Sequence, residues 1–270
     1  MSDYSLRFSG IARLYGQNGA QILQNSHFCI VGIGGVGSWV AEALARNGIG
    51  NITLIDLDDI CITNVNRQIH ALSDTIGESK VDVMSDRIKQ INPDCHVNVI
   101  EDFITIENLS NLLNKKYDYV IDAIDSVDMK TRLIAHCKRN KLPIITIGGA
   151  GGQVDPSKIA ITDLSKTYQD PLLAKVKNQL RREFNFPRAD IKKASKRKFS
   201  IDAVFSIEQL RYPTELGEVC LAKPDVNEGN NSSMRLDCSG GFGATTHVTA
   251  TFAFFAVGRA IDKLLKIKLK

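Results

Sequence analysis

Residues 30–38 read IVGIGGVGS, with Gly32, Gly34 and Gly37 at the spacing GxGxxG directly after an apolar run. Glycines so placed permit a tight turn and let backbone N–H groups approach a phosphate at a helix N-terminus. Gly35 adds a further position without a side chain in the same turn. Asp56 closes the next apolar run, in LIDLDD, where an acid is placed to bind ribose hydroxyls, and Asp58 lies two residues beyond it. A nucleotide on this turn is therefore expected, but the spacing alone does not separate a nicotinamide dinucleotide from ATP.

ATP cleavage needs cations beside the leaving phosphates, which hydride transfer does not. The chain offers Asn64, Arg67 and Gln68 in TNVNRQ, then Lys80 at the head of the following helical pattern. Asn64 and Arg67 are three apart, which predicts that they share one face of a helical turn. Singly, Arg67 or Lys80 would usually be no more than a charge on a solvated helix surface. A further acid, Asp125, ends the run VIDAID.

The elements that must hold these residues alternate. Strands are predicted around residues 25–32, 51–59, 96–102, 117–125 and 142–149. Helices are predicted over 36–48, 80–93, 108–116 and 127–141. Strands alternating with helices of this length predict a mostly parallel, doubly wound α/β sheet. After residue 150 the rhythm breaks: residues 151–164 predict a hairpin or a strand leading away from the sheet, and 199–208 another strand. A long C-terminal helix closes the chain. We divide it into a nucleotide-binding core with an N-terminal helix over 1–150, and a substrate-side elaboration over 151–270 that continues the same domain.

The run from Ile30 to Gln68, followed by GESK and VIDAIDS, resembles the ubiquitin-activating-enzyme superfamily, whose bacterial members include adenylyltransferases of molybdopterin and thiamine biosynthesis. The resemblance spans residues 8–150 and implies a Rossmann-like fold and adenylation: ATP and Mg²⁺ activate a carboxylate as an acyl-AMP, releasing pyrophosphate. It implies that Gly32, Gly34, Gly35, Gly37, Asp56, Asp58, Asn64, Arg67, Gln68 and Lys80 bind the nucleotide. Arg67, Lys80 and Asp125 are then the catalytic set, with Asp125 near Mg²⁺. A homodimer is also implied, in which an N-terminal arginine completes the neighbouring ATP site. Gly10 stands where that arginine is expected, leaving Arg7 and Arg13 as candidates.

RFSGIARLYG, GGAGGQVDPSKI and DCSGGFGA before TATFAFFAV are similar to the bacterial tRNA threonylcarbamoyladenosine dehydratases, and extend the resemblance over nearly the whole chain. That implies ATP-dependent cyclisation of threonylcarbamoyl-adenosine in a tRNA anticodon loop, with net loss of water. The alternative is an adenylyltransferase for the C-terminal carboxylate of a sulfur-carrier or ubiquitin-like protein. Cys238 is then the candidate thiol, receiving sulfur from a cysteine-desulfurase-type partner; it reads equally as a buried structural cysteine.

Charge supports a polyanionic substrate. Residues 175–198 hold ten Lys or Arg against two acids, a local balance of +8 in a chain of net charge +4, so the remainder carries −4. Arg181, Arg182, Lys192, Lys193, Lys196, Arg197 and Lys198 are the candidate tRNA contacts, with Phe184 and Phe186 placed to stack on unpaired bases. A solvated insertion is the plainer reading of the same stretch. Six scattered cysteines without a CxxC pair fit reduced thiols in the cytoplasm, and no structural zinc is expected. The uncharged stretch from Cys238 to Gly258 is rich in Gly and Thr, which favours a buried helix over a membrane span.

Overall fold

The computed structural model describes residues 3–113, 117–188, 198–214, 217–222 and 242–269. Two N-terminal helices, α1 (Asp3–Arg7) and α2 (Ser9–Gln24), precede the sheet, and α2 breaks at Gly16, whose φ of +76° suits only glycine. The first half then runs β1 (His27–Val31), α3 (Gly37–Arg46), β2 (Asn51–Ile55), α4 (Lys80–Ile91), β3 (His96–Ile100), α5 (Leu109–Leu112), β4 (Tyr119–Asp122), α6 (Val127–Arg139) and β5 (Ile144–Ile147). Beyond it lie β6 (Ile159–Asp163), α7 (Pro171–Glu183), β7 (Asp202–Ser206), a two-residue pairing of β8 (Tyr212–Pro213) with β9 (Val219–Cys220), and α8 (Thr246–Lys268).

Seven strands form one sheet in the order β3-β2-β1-β4-β5-β7-β6, parallel except for β6. The strand order reverses between β1 and β4, so a crevice opens at the carboxyl ends of these strands, where open α/β sheets bind ligands. Residues 151–164 do not lead away from the sheet, as their sequence suggested. β6 returns antiparallel along β7, and β7 inserts beside β5. Burial explains the order: every residue of β7 is buried, whereas β6 keeps four of its five residues partly exposed, as an edge strand can.

Successive β1 side chains point to opposite faces, and both faces are covered. Phe28 and Ile30 meet Val40, Leu44, Met84, Phe252 and Ala256 from α3, α4 and α8. Cys29 and Val31 meet Leu109, Leu133, Leu173 and Leu180 from α5, α6 and α7. On α8 the small residues Ala253, Ala256 and Ala260 recur on the buried face, letting this helix lie close along α3. Its charged end is tied to the sheet: Arg259 and Lys263 both pair with Asp202, at 2.5 and 2.8 Å. Among the described residues, no helix is long and apolar enough to cross a membrane.

Candidate active site

The glycine turn divides its labour. Gly32 takes φ +88° as the chain leaves β1, and its N–H donates to the Ile55 carbonyl at 2.9 Å. A Cβ on Gly37 would fall 1.7 Å from the Gly32 carbonyl oxygen, so this glycine lets α3 start against the turn. Gly37 does not line the cavity that follows. Gly34 and Gly35 do: a Cβ on Gly34 would meet only Gln68 Nε2 at 3.9 Å, and one on Gly35 the Arg67 side chain at 3.4 Å.

Asp56 stands at the end of β2 with its carboxylate aimed across the turn. It accepts from Ile33 N at 2.6 Å and from Asp58 N at 2.9 Å. Burial raises its pKa above the ordinary carboxylate value, while Lys80 and the two amides pull the other way. Lys80, itself buried at the head of α4, pairs with Asp58 at 2.7 Å.

Asn64 and Arg67 do not share a regular helical turn. A short 3₁₀ turn covers only Ile62–Asn64, and Arg67 N donates to the Asn64 carbonyl at 3.0 Å just beyond it. Asn64 Oδ1 accepts from Cys61 N at 3.1 Å, and the Arg67 guanidinium donates to the Thr63 carbonyl at 2.6 Å. Trp39 Nε1 donates to the Arg67 carbonyl at 3.1 Å, and Asn66 Nδ2 donates to the Ala244 carbonyl at 2.8 Å. Thr246 and Thr249 in the first turn of α8 donate to the carbonyls of Asn66 and Arg67, so the start of this helix holds the segment carrying Arg67 over the glycine turn.

Together these residues line a cavity of about 710 Å³ at the carboxyl ends of the strands. Gly32, Gly34, Gly35, Asp56, Asp58, Asn64, Arg67, Gln68, Lys80 and Asp125 all reach it. Sequence reading missed Asp102, Phe103 and Ile104 after β3, Met129 on α6, and Gly148 and Gly149 after β5. Their one available signal was position, since each follows a strand's carboxyl end or opens the next helix. The cavity suits a nucleotide: a glycine cradle without side chains, two cations, and the amide oxygen of Gln68, buried with no partner of its own. Among the described residues, no cluster of His, Cys, Asp and Glu is built to hold a metal ion.

The described part of the basic segment lies elsewhere. Arg181 and Arg182 close α7 at the amino ends of the strands, and Lys198 shortly precedes β7. Phe184 and Phe186 are packed against the second core, with Arg139 over the Phe184 ring at 5.3 Å and Phe186 edge-on to Phe199 at 5.0 Å. Both rings are half-buried, each covering apolar surface of the protein itself. Lys192, Lys193, Lys196, Arg197 and Cys238 lie outside the described residues.

A doubly wound sheet with a glycine turn and paired cations at its carboxyl edge defines a nucleotide-binding α/β protein of the adenylating class. The chain belongs to the ThiF family, whose model matches residues 8–270. It is 58% identical to the tRNA threonylcarbamoyladenosine dehydratase of Haemophilus influenzae, over 99% of this chain and 97% of that protein. It is 55% identical to the Escherichia coli dehydratase of the same name, over 96% and 93% of the two chains. A crystal structure of the E. coli enzyme in complex with ATP matches with a TM-score of 0.85 at 50% identity, covering 99% of this chain and 98% of that one.

Proposed function

We propose that this protein is an ATP-dependent tRNA threonylcarbamoyladenosine dehydratase. It adenylates the free carboxylate of threonylcarbamoyl-adenosine and closes the substituent into a ring with net loss of water. The observation that carries this is the convergence of Gly34, Gly35, Asp56, Arg67, Lys80 and Asp125 on one cavity, in a chain that aligns with named dehydratases almost end to end.

In this reading Gly34 and Gly35 admit the phosphates to the turn, and Asp56, oriented by two backbone amides, receives the ribose hydroxyls. Asn64, Arg67, Gln68 and Lys80 face the phosphates, with Lys80 exchanging Asp58 for the nucleotide. A substrate carboxylate oxygen attacks the α-phosphorus and pyrophosphate leaves; cations aimed at that departing charge lower the barrier most. Asp125, exposed on the cavity wall, would be the carboxylate to hold Mg²⁺, which would supply positive charge to the phosphates when bound. A nucleophile within the same substituent then attacks the activated carbonyl carbon and AMP leaves. Because this attack is intramolecular, no enzyme nucleophile is required.

The enzyme is a cytoplasmic homodimer in the same reading, and the two arginine candidates differ. Both are exposed; Arg7 pairs with Asp3 at 2.7 Å on the surface of α1, and Arg13, on α2, is the one we take to reach a neighbouring subunit.

The test is nucleoside mass spectrometry after incubating the protein with ATP, Mg²⁺ and tRNA carrying threonylcarbamoyl-adenosine. The expected result is loss of one water from that nucleoside, dependent on ATP. An unchanged nucleoside, with ATP–pyrophosphate exchange stimulated by a protein ending in Gly-Gly, would replace the dehydratase with the carrier-protein adenylyltransferase.

A further inference from the structure

Helix α7 connects the nucleotide cavity to the opposite edge of the sheet. Leu172 in its first turn lines the cavity, and Asp170 at its N-cap accepts from Gly149 N at 3.0 Å. From Leu172 the helix descends nine residues to Arg181, about 14 Å at 1.5 Å per residue. Lys175 and Arg182 are exposed along it, seven residues apart and so on one face. Helix α6 runs beside α7, joined by Gln179 Nε2 donating to Asp128 Oδ1 at 2.9 Å, and ends in Lys138 and Arg139.

At this far end positive charge accumulates from three segments. Lys138, Arg139 and Lys141 come from α6 and the turn after it, Arg181 and Arg182 from α7, and Arg188 and Lys198 from the chain beyond. Aromatic rings hold two of them: Arg139 stacks over Phe184 and Arg181 over Phe199, each at 5.3 Å. Among the described residues the carboxylates close by are already engaged: Asp128 pairs with Arg132 at 2.9 Å and is joined through Gln179 to Glu183. Glu183 is taken by Arg182 at 2.6 Å, and Asp163 accepts from the backbone amides of Ser165, Phe199 and Ser200. Cations gathered in this way repel one another, and a polyanion laid across them relieves that repulsion while releasing its counterions.

We infer that the carboxyl-terminal ends of α6 and α7 bind the phosphates of the base-paired stem that carries the modified loop. The inference rests on the tRNA reading above and deepens it by separating two contacts. A loop nucleotide enters the cavity, while the stem runs along α7 and rests its backbone on the basic end. Duplex RNA suits the far surface because phosphates, not base edges, are what an A-form helix presents to lysine and arginine. Phe184 and Phe186 are half-buried against the second core, with Arg139 over the first ring and Phe199 edge-on to the second.

The test compares two RNA probes on the full-length protein by fluorescence anisotropy across a salt series: an anticodon stem-loop hairpin, and its loop sequence as a linear strand. The variant is Lys138→Glu, Lys141→Glu and Arg188→Glu combined, with the three alanine substitutions as a second variant and ATP binding as the check on folding. Hairpin affinity is expected to fall at least ~10-fold, with a shallower salt slope, while the linear strand and ATP bind as before. Hairpin affinity unchanged in both variants, with wild type binding well, overturns the surface. Equal losses for hairpin and linear strand overturn its assignment to the stem. A wild-type protein that binds neither RNA removes the tRNA reading and the inference together, an outcome distinct from failure of the surface alone.

Discussion

Lys130 Nζ lies 2.8 Å from Asp122 Oδ1, and neither side chain is exposed to solvent. The pair sits beneath the loop that presents Asp125 to the cavity. Asp122 also accepts from Thr146 Oγ1 at 2.6 Å and from Ile124 N at 3.3 Å, so one buried carboxylate ties β4, β5 and the Asp125 loop together. Burial pushes the Asp122 pKa up, while Lys130 and the hydrogen bonds push it down.

Breaking this pair from one side leaves a charge buried without a partner. Lys130→Met is expected to cost about 3–5 kcal/mol in urea unfolding, because the orphaned carboxylate keeps its desolvation penalty. The double variant Lys130→Met, Asp122→Asn should recover much of that loss. Equal instability of the single and double variants would mean that the ion pair is not what the site depends on.

The two kinds of glycine in the turn should fail differently. Gly37→Ala drives a methyl group into the Gly32 carbonyl, so the protein should lose thermal stability before any question of ligand arises. Gly34→Ala meets nothing closer than 3.9 Å, so Tm should stay within a few degrees of wild type while ATP affinity falls. Calorimetric titration with ATP beside a thermal melt separates them. Matching behaviour of the two variants would contradict this division.

Lys80 is the cation on which phosphate chemistry should depend most visibly. Lys80→Ala is expected to lower ATP–pyrophosphate exchange by about 10²–10³-fold, the range for loss of one group that stabilises developing charge. Asp58→Asn, which frees Lys80 from its resting partner, should change exchange far less. Exchange that persists in Lys80→Ala would remove this lysine from the reaction.

His70 predicts an acid sensitivity. Its ring is buried with neither nitrogen hydrogen-bonded, and burial, then Lys80 and Arg87, lower its pKa to about 4 from 6.5. The unfolded chain therefore takes up this proton first as pH falls. Stability is unaffected above pH 6.5 and declines between 6.5 and 4. The full loss is roughly 3 kcal/mol for a shift of this size. His70→Leu should flatten the stability–pH curve in that window, and parallel curves for wild type and variant would exclude the assignment.

Much of the cavity lining was legible in the sequence because local rules govern it. A tight turn after a strand takes glycine at Gly34, an acid at Asp56 marks the end of the next apolar run, and β-α alternation dictates a parallel sheet. Asn64, Arg67 and Lys80 could be grouped because they follow one another closely in the chain. Tertiary structure alone decided what depended on distant segments meeting. Nothing in the sequence pairs Lys130 with Asp122, and the two are buried together because α6 lies across the end of β4. β6 became an antiparallel edge because β7 took the place beside β5. Phe184 and Phe186 look like base-stacking platforms beside arginines until the second core is seen to need their surface. The basic stretch announced a polyanion by composition, but only the course of α7 set Arg181 about 14 Å down the helix from Leu172 at the cavity. Charge and propensity are written residue by residue, whereas burial and distance exist only once the chain has closed on itself.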